Sequence, residues 1–425
     1  MKATFFTNTM LLLEGRHSRI LCDPWVTFDD TSTSGFYNFP RCGISREEVA
    51  AIRPDFIYIT HTHPDHFDAT TLSLFDMGTP VFVADYARNF TARAVQRVGF
   101  KDVRIVPRHD GLPLNGDDRI WLEPAALSPD VDSLGAFRLD GQIAVNANDN
   151  SFDEEQCSAL RRRLGRIDVG LLPSGAHGPW PMFYENLTPT QMEAEARKRE
   201  IRLKDSFTGY VRAFAPKWVV PIGGGIVCGG NKALRYNHSG LRPRSEVVAY
   251  ALERVAFEPV LLSERNSFDF QSGERAGAYI EKSFATESEY LLTLSRKPSI
   301  FAPGGAFHIA SSERIDLSRL LGIARSQMHA RQRQAGAVSD TAFFFDVGEP
   351  NLYRLSLADD SVSRISESDI IDEEYEIFRL PYELLLGLLT RHYVWSNVNT
   401  QHMQFFRKGD RMDATLFLFI NYLQI

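Results

Sequence analysis

The sequence predicts a layered α/β protein over residues 1–295, followed by a smaller α+β domain over residues 296–425. Three observations predict it. Short apolar runs alternate with segments of helical composition through the first 220 residues, the pattern of strands and helices stacked in layers. After about residue 295 the character changes to one long helix and then closely spaced strand-like runs. The length of 425 residues corresponds to two or three domains at roughly 150 residues each, and such a chain buries enough surface to fold without disulfides or a structural metal.

Composition narrows the function classes. Hydrophobic residues make up 44% and charged residues 24%, ordinary values for a folded protein. Lys plus Arg total 47 against 54 Asp plus Glu, a formal charge of −7. A broad nucleic-acid surface would need the opposite excess, so nucleic acid is not an expected partner. No apolar run reaches eighteen residues, so no membrane span is expected. Met1-Lys2-Ala3-Thr4 runs directly into strand-like sequence, and no signal peptide is expected. Cys22, Cys42, Cys157 and Cys228 lie far apart with no CxxC pair. They read as reduced thiols of a cytoplasmic protein.

Taken in order, Met10–Glu14 and Ser18–Cys22 form a hairpin about Gly15-Arg16-His17. Asp23-Pro24-Trp25 ends its second strand, because proline cannot continue a central ladder. Residues 27–46, rich in Ser, Thr, Gly, Asp and Phe, read as a long surface loop of the kind that is often functional. Phe56–Thr60 is a buried-strand signal. Thr79–Ala84 and Val103–Pro107 repeat it around a helical Tyr86–Gly99. The alternation continues through strand-like Ile143–Asn146, Val169–Leu172 and Trp218–Pro221 and helical Phe152–Leu164 and Thr188–Leu203. In the C-terminal part, Ile315–Gln334 reads as a helix, Thr341–Val347, Leu352–Leu357 and Val362–Ile365 as strands, Tyr382–Leu389 as a helix and Ala414–Ile420 as a closing strand.

Three of the eleven histidines fall within six residues, in His61-Thr62-His63-Pro64-Asp65-His66, directly after a buried strand. Neutral imidazoles and carboxylates are good ligands for zinc, iron or manganese. A tight turn after a strand can aim His61 and His63 to one side and Asp65 and His66 to another, which suits two metals that together activate water. Left without a partner, such a cluster would carry a heavy desolvation cost.

This H-x-H-x-D-H motif resembles the signature of the metallo-β-lactamase fold superfamily over about residues 1–260. The resemblance implies an αββα sandwich with one or two divalent metal ions at one edge. It implies His61, His63, Asp65, His66 and Asp149 as ligands, Asp149 bridging both metals from Asn146-Ala147-Asn148-Asp149, and Asp23 of Asp23-Pro24 supporting the metal loop. Ser174-Gly175-Ala176-His177-Gly178-Pro179-Trp180-Pro181-Met182 is similar to a pattern in proteins resembling the catalytic part of CMP-N-acetylneuraminate hydroxylase. Those hydroxylases carry a Rieske domain. This chain has no C-x-H…C-x-x-H pair, so it holds no such cluster itself.

The pattern breaks at two places. Residues 125–133, where hydrolytic members carry another histidine, have none. Gly223 or a neighbour stands where the last family histidine is expected. His177, His238 and Asp132 are candidate substitutes, with His177, also a candidate catalytic residue beside Asp65, the best placed. Gly223–Gly225 and Gly229-Gly230-Asn231-Lys232 could cradle an anion on exposed N–H groups, with Lys232 and Arg235 binding substrate and Arg242 and Arg244 close by. The C-terminal domain is similar to sterol-carrier-like modules and could form an apolar pocket, a lid or the surface of a homodimer. The expected function is a metal-dependent hydrolase acting on a small anionic metabolite. The alternative is a non-haem iron oxygenase that draws electrons from a separate protein.

Overall fold

The computed structural model describes the chain except residues 33, 128–130, 176–177, 239–242, 337–340, 357–360, 396–400 and 410–413, and except the side chains of 235–238, 414, 415 and 418. His177 therefore lies outside the described residues, as do Arg242 and the side chains of Arg235 and His238.

Two mixed sheets form the body of the molecule. The first has eight strands in the order Arg275–Ala276, Ser267–Asp269, Lys2–Thr7, Met10–Glu14, Arg19–Cys22, Phe56–Tyr58, Val81–Ala84, Val103–Val106. The last four run parallel. The second has seven strands in the order Glu258–Pro259, Trp218–Ile222, Val169–Pro173, Gln142–Asn146, Ser133–Leu139, Arg119–Pro124, Leu112–Pro113, with the first four parallel.

Side chains alternate across each strand, and here both faces are apolar, as parallel strands covered on both sides require. Leu11, Leu13, Ile20, Cys22, Tyr58 and Phe82 face the second sheet and meet Ile120, Leu122, Phe137, Leu171 and Val220. Their neighbours Leu12, Leu21, Ile57, Val81 and Val83 face outward and are covered by Val49, Leu72, Ala92 and Val95 from the helices Arg46–Ala50, Ala69–Leu72 and Phe90–Val98. On the far side, Val145, Leu172 and Val219 lie under the helices Glu154–Leu164, Pro189–Phe214 and Arg244–Leu252. The result is helix, sheet, sheet, helix.

A third sheet of five strands follows, in the order Ser363–Ile365, Leu352–Ser356, Ala342–Asp346, Tyr375–Arg379, Gln404–Lys408. The helices Ser318–Ala335 and Tyr382–Leu389 pack with it. It shares one apolar cluster with Trp25, Phe36, Tyr37, Met182, Phe183 and Val227 of the first two hundred and thirty residues. Residues 183–185 also bond to its edge. Phe405 donates to the Phe183 carbonyl at 3.0 Å and Glu185 donates to the Phe405 carbonyl at 2.8 Å. Arg379 pairs with Glu185 at 3.2 Å.

Three expected features differ. Ala414–Phe419 is a helix, not a closing strand; a short Leu-Phe run without alternation suits either state, and the edge strand is Gln404–Lys408. The loop of 27–46 contains a strand, Phe36–Asn38, paired antiparallel with Ile226–Cys228. The helix after Thr188 runs on to Phe214. Among the described residues, no helix is long and apolar enough to cross a membrane.

Candidate metal centre

Every predicted ligand follows the carboxyl end of a parallel strand, where open α/β sheets place their ligands. His61, His63, Asp65 and His66 follow Phe56–Tyr58, and Asp149 follows Gln142–Asn146. The two strands belong to opposite sheets, so the site sits across the open edge of the sandwich.

The side chains converge in two triads. His61, His63 and Asp149 each offer a ligand atom within 4.8 Å of the others, and so do Asp65, His66 and Asp149. Asp149 is common to both. His61 Nε2 lies 2.5 Å from His63 Nδ1, and His66 Nε2 lies 3.2 Å from Asp149 Oδ2 and 3.4 Å from Asp65 Oδ2. His66 Nε2 is buried and makes no well-directed hydrogen bond despite these carboxylates. A buried imidazole nitrogen facing two carboxylates is a donor set that fits a cation between them. The donor set is nitrogen and oxygen only, which suits zinc, iron or manganese.

The far nitrogens of the imidazoles are held from outside. Asp23 Oδ2 lies 2.8 Å from His66 Nδ1, and Asp23 also accepts from the Thr60 amide at 2.8 Å and the Thr60 hydroxyl at 2.9 Å. Asp132 Oδ1 lies 3.2 Å from His61 Nδ1. Such partners fix the ring orientation and tautomer of metal-bound histidine. Asp132 thus stands behind His61, on the side away from His63, instead of in a missing ligand's place. Asn8 Nδ2 donates to Asp65 Oδ2 at 3.0 Å while its own oxygen accepts from the Gly225 amide at 2.9 Å. Ser133 Oγ and the Tyr86 hydroxyl both donate to the Thr60 carbonyl. Asn150 donates to the Ser133 carbonyl at 2.9 Å and anchors the Asp149 turn.

The electrostatics follow from burial and these partners. Burial pushes His61 well below the ordinary imidazole range, and it lowers His63 against the pull of Asp65 and Asp149. For His66 burial acts the same way, but Asp65, Asp149 and Asp23 together outweigh it and hold a proton there. Burial, with Asp149 nearby, raises Asp132 far above the carboxylate range, and burial raises Asp23.

Gly223 adjoins the centre. Its φ is +74°, and a Cβ built on it would lie 3.6 Å from Asp149 Oδ1. The resemblance to the metallo-β-lactamase superfamily expects a histidine near this position, but the positive φ of Gly223 disfavours any side chain there. Here the glycine floor of a cavity of about 320 Å³ replaces it, lined also by Ser174, Arg244, Glu264 and Phe284. Lys232 is not in that lining. It is 1% exposed, with its ammonium 4.4 Å from the Phe183 ring centroid. Burial therefore removes it from the anion cradle expected of the glycine-rich stretch. Asn8, Thr60, Ser133 and Tyr86 were not legible as site residues, because single polar residues in apolar runs carry no spacing signal.

No family model matches the chain. A Mycobacterium tuberculosis protein named as a Rieske 2Fe-2S iron–sulfur protein is 27% identical over 233 residues, 53% of this chain and 44% of that one. The match thus spans less than half the length of that relative. A metal-dependent hydrolase of Pyrobaculum calidifontis is 26% identical over 181 residues, 41% of this chain and 72% of that one. A cytidine monophosphate-N-acetylneuraminic acid hydroxylase of Asterias rubens is 23% identical over 239 residues, 53% and 35% of the two chains. Among solved structures, a metallo-β-lactamase-fold protein of Bacillus subtilis aligns over 63% of this chain and 99% of its own at 11% identity, with a TM-score of 0.39. The helix–sheet–sheet–helix body, with its motif at the sheet edge, is the arrangement that the resemblance to the metallo-β-lactamase fold implies.

Proposed function

We propose that the protein is a metal-dependent hydrolase with a dinuclear centre, acting on a small anionic molecule. The observation that supports this most is Asp149, one carboxylate within ligand reach of two separate triads. His61, His63 and Asp149 would hold one ion, and Asp65, His66 and Asp149 the other. Divalent ions held this way lower the pKa of bound water and polarise the group under attack. The chain's own residues do the rest. Asp23 and Asp132 keep His66 and His61 in one tautomer, and Asn8 fixes Asp65 so that it can orient the attacking water. Glycine at 223 leaves the Asp149 side open to the adjoining cavity. Arg244 replaces Lys232 as the group that receives the substrate's negative charge. Arg244 lines that cavity with Glu264 and Glu281, donates to the Leu262 carbonyl at 3.3 Å and lies over the Phe5 ring, and among the described residues no carboxylate pairs with it at ion-pair distance. Its remaining donors suit bidentate recognition of a carboxylate or phosphate. The name of the Pyrobaculum relative supports the hydrolase reading.

A second reading has its own support. The longer mycobacterial relative bears the Rieske name, and the same nitrogen and oxygen donors suit non-haem iron. In that case the protein is an oxygenase fed by a separate electron carrier. Metal analysis of protein purified without chelators separates the two. Zinc or manganese, with ester or phosphoester turnover in the absence of oxygen, supports the hydrolase. Iron, with turnover only when reductant and oxygen are supplied, overturns it. Full activity in a His61→Ala, His63→Ala variant would overturn both.

A further inference from the structure

The helix Phe90–Val98 and the chain after the helix Tyr382–Leu389 bring four arginines together behind the metal loop. Arg93 and Arg97 lie one turn apart on the first helix. Arg391 follows the end of the second, at a φ of +63°. Arg88 sits 5.4 Å over the Tyr422 ring. Arg93, Arg97 and Arg391 line a cavity of about 180 Å³, with Asn421 and Gln424 supplying amides and Phe90 an apolar wall. Thr62, the residue between His61 and His63, lines it too.

Charge balance is what stands out. Among the described residues, no carboxylate lies within ion-pair distance of Arg88, Arg93, Arg97 or Arg391. Burial lowers the Arg391 pKa, and the charges acting on it, those of Arg93, Arg88 and Arg97, share its sign and lower it further. The Arg391 Nε is buried without a hydrogen-bond partner. Helix-end chemistry explains one contact only. Arg97 Nη1 donates to the Arg391 carbonyl at 3.0 Å, as cations near a helix C-terminus do. It leaves the like-charge crowding uncompensated, and arginines one turn apart on a helix already repel.

We propose that this cavity is a binding site for a phosphate-class oxyanion, held by Arg93, Arg97 and Arg391 and distinct from the metal centre. A dianion with several oxygens offsets the three guanidiniums that line the cavity, the forked geometry for which arginine is selected at phosphate sites. The size limits the ligand. At about 180 Å³ the cavity falls below the roughly 300–1,000 Å³ of pockets that enclose drug-sized molecules. It accepts inorganic phosphate or the phosphoryl end of a small metabolite, not a whole nucleotide.

The test is calorimetric titration of the full chain with inorganic phosphate, pyrophosphate and glycerol phosphate, in metal-loaded and metal-depleted protein. Arg93 and Arg97 are exposed, so an R93A/R97A variant should fold. Wild-type protein should bind phosphate with or without metal, and more weakly as salt rises. R93A/R97A should weaken binding at least tenfold, and Arg391→Met likewise, with Arg391→Lys partly restoring it. Tighter binding of glycerol phosphate than of free phosphate would assign the site to a phosphorylated metabolite; the reverse order would assign it to the free ion. A folding readout guards against misreading: at low salt without phosphate, R93A/R97A should melt above wild type, because repulsion is relieved, and phosphate should raise its Tm less. The proposal is overturned by equal phosphate affinity in wild type and R93A/R97A, by no binding at millimolar phosphate, or by binding that disappears with the metal and survives R93A/R97A.

Discussion

Replacing Asp149 with alanine removes an oxygen from both triads at once. We expect metal content measured by plasma mass spectrometry to fall for both ions together, and activity to drop by at least about 100-fold, the scale on which a lost metal function registers. Loss of only one equivalent would mean that Asp149 does not bridge. Asp23→Asn is gentler. It keeps the shape and alters only the acceptor behind His66 Nδ1, and substitutions of that kind cost about 10–100-fold in metal affinity. The pH sign is fixed by the same residues. Asp65, Asp149 and Asp23 keep a proton on His66 in the metal-free protein, and a metal must displace it. Affinity should therefore rise with pH, and titration in buffers of different ionisation enthalpy should show a proton released on binding. At this scale the sequence was informative where chemistry is concentrated. Six consecutive residues announced four of the five candidate ligands. Asp132 was named as a candidate substitute for a missing ligand, and only the fold shows that it stands behind His61. The burial of Lys232 depended on the packing of Phe183, which lies forty-nine positions earlier.

Among the elements, the long helix Pro189–Phe214 opens with a complete capping box. Thr188 Oγ1 accepts from the Gln191 amide at 3.3 Å, and the Gln191 side chain accepts from the Thr188 amide at 2.9 Å. Thr188→Ala should cost about 1 kcal/mol, read as a lower urea midpoint with an unchanged slope. Elements with one dominant period were legible, among them the hairpin of Met10–Glu14 and Arg19–Cys22, the parallel strands Phe56–Tyr58 and Val81–Ala84, and the helix Tyr382–Leu389. The strands Arg119–Pro124 and Ser133–Leu139 were not. Their apolar residues are interrupted by Glu123 and Arg138, and Glu123 is buried only because Arg163 and His109 reach it from elsewhere. A local window cannot see an ion pair closed over forty residues.

At the scale of the whole molecule, the metal sandwich and the C-terminal sheet share a core. Phe405 is fully buried within it and stacks on Tyr184 with ring centroids 5.4 Å apart. Phe405→Ala should cost about 3–5 kcal/mol and shift the melting of the entire chain, observed as one transition in calorimetry. Two well-separated transitions would show that the parts fold apart. The contact between Phe183–Glu185 and Phe405 has a mechanical consequence. The strand Val169–Pro173 ends at the edge that carries the candidate metal residues, and Phe183–Glu185, which come after it in the chain, are bonded to the last strand of the C-terminal sheet. A tether pulled on the C-terminus would load the metal edge through the chain between them before the sandwich itself gave way. In a force-extension record this seam should yield as one rip whose height rises when metal is bound.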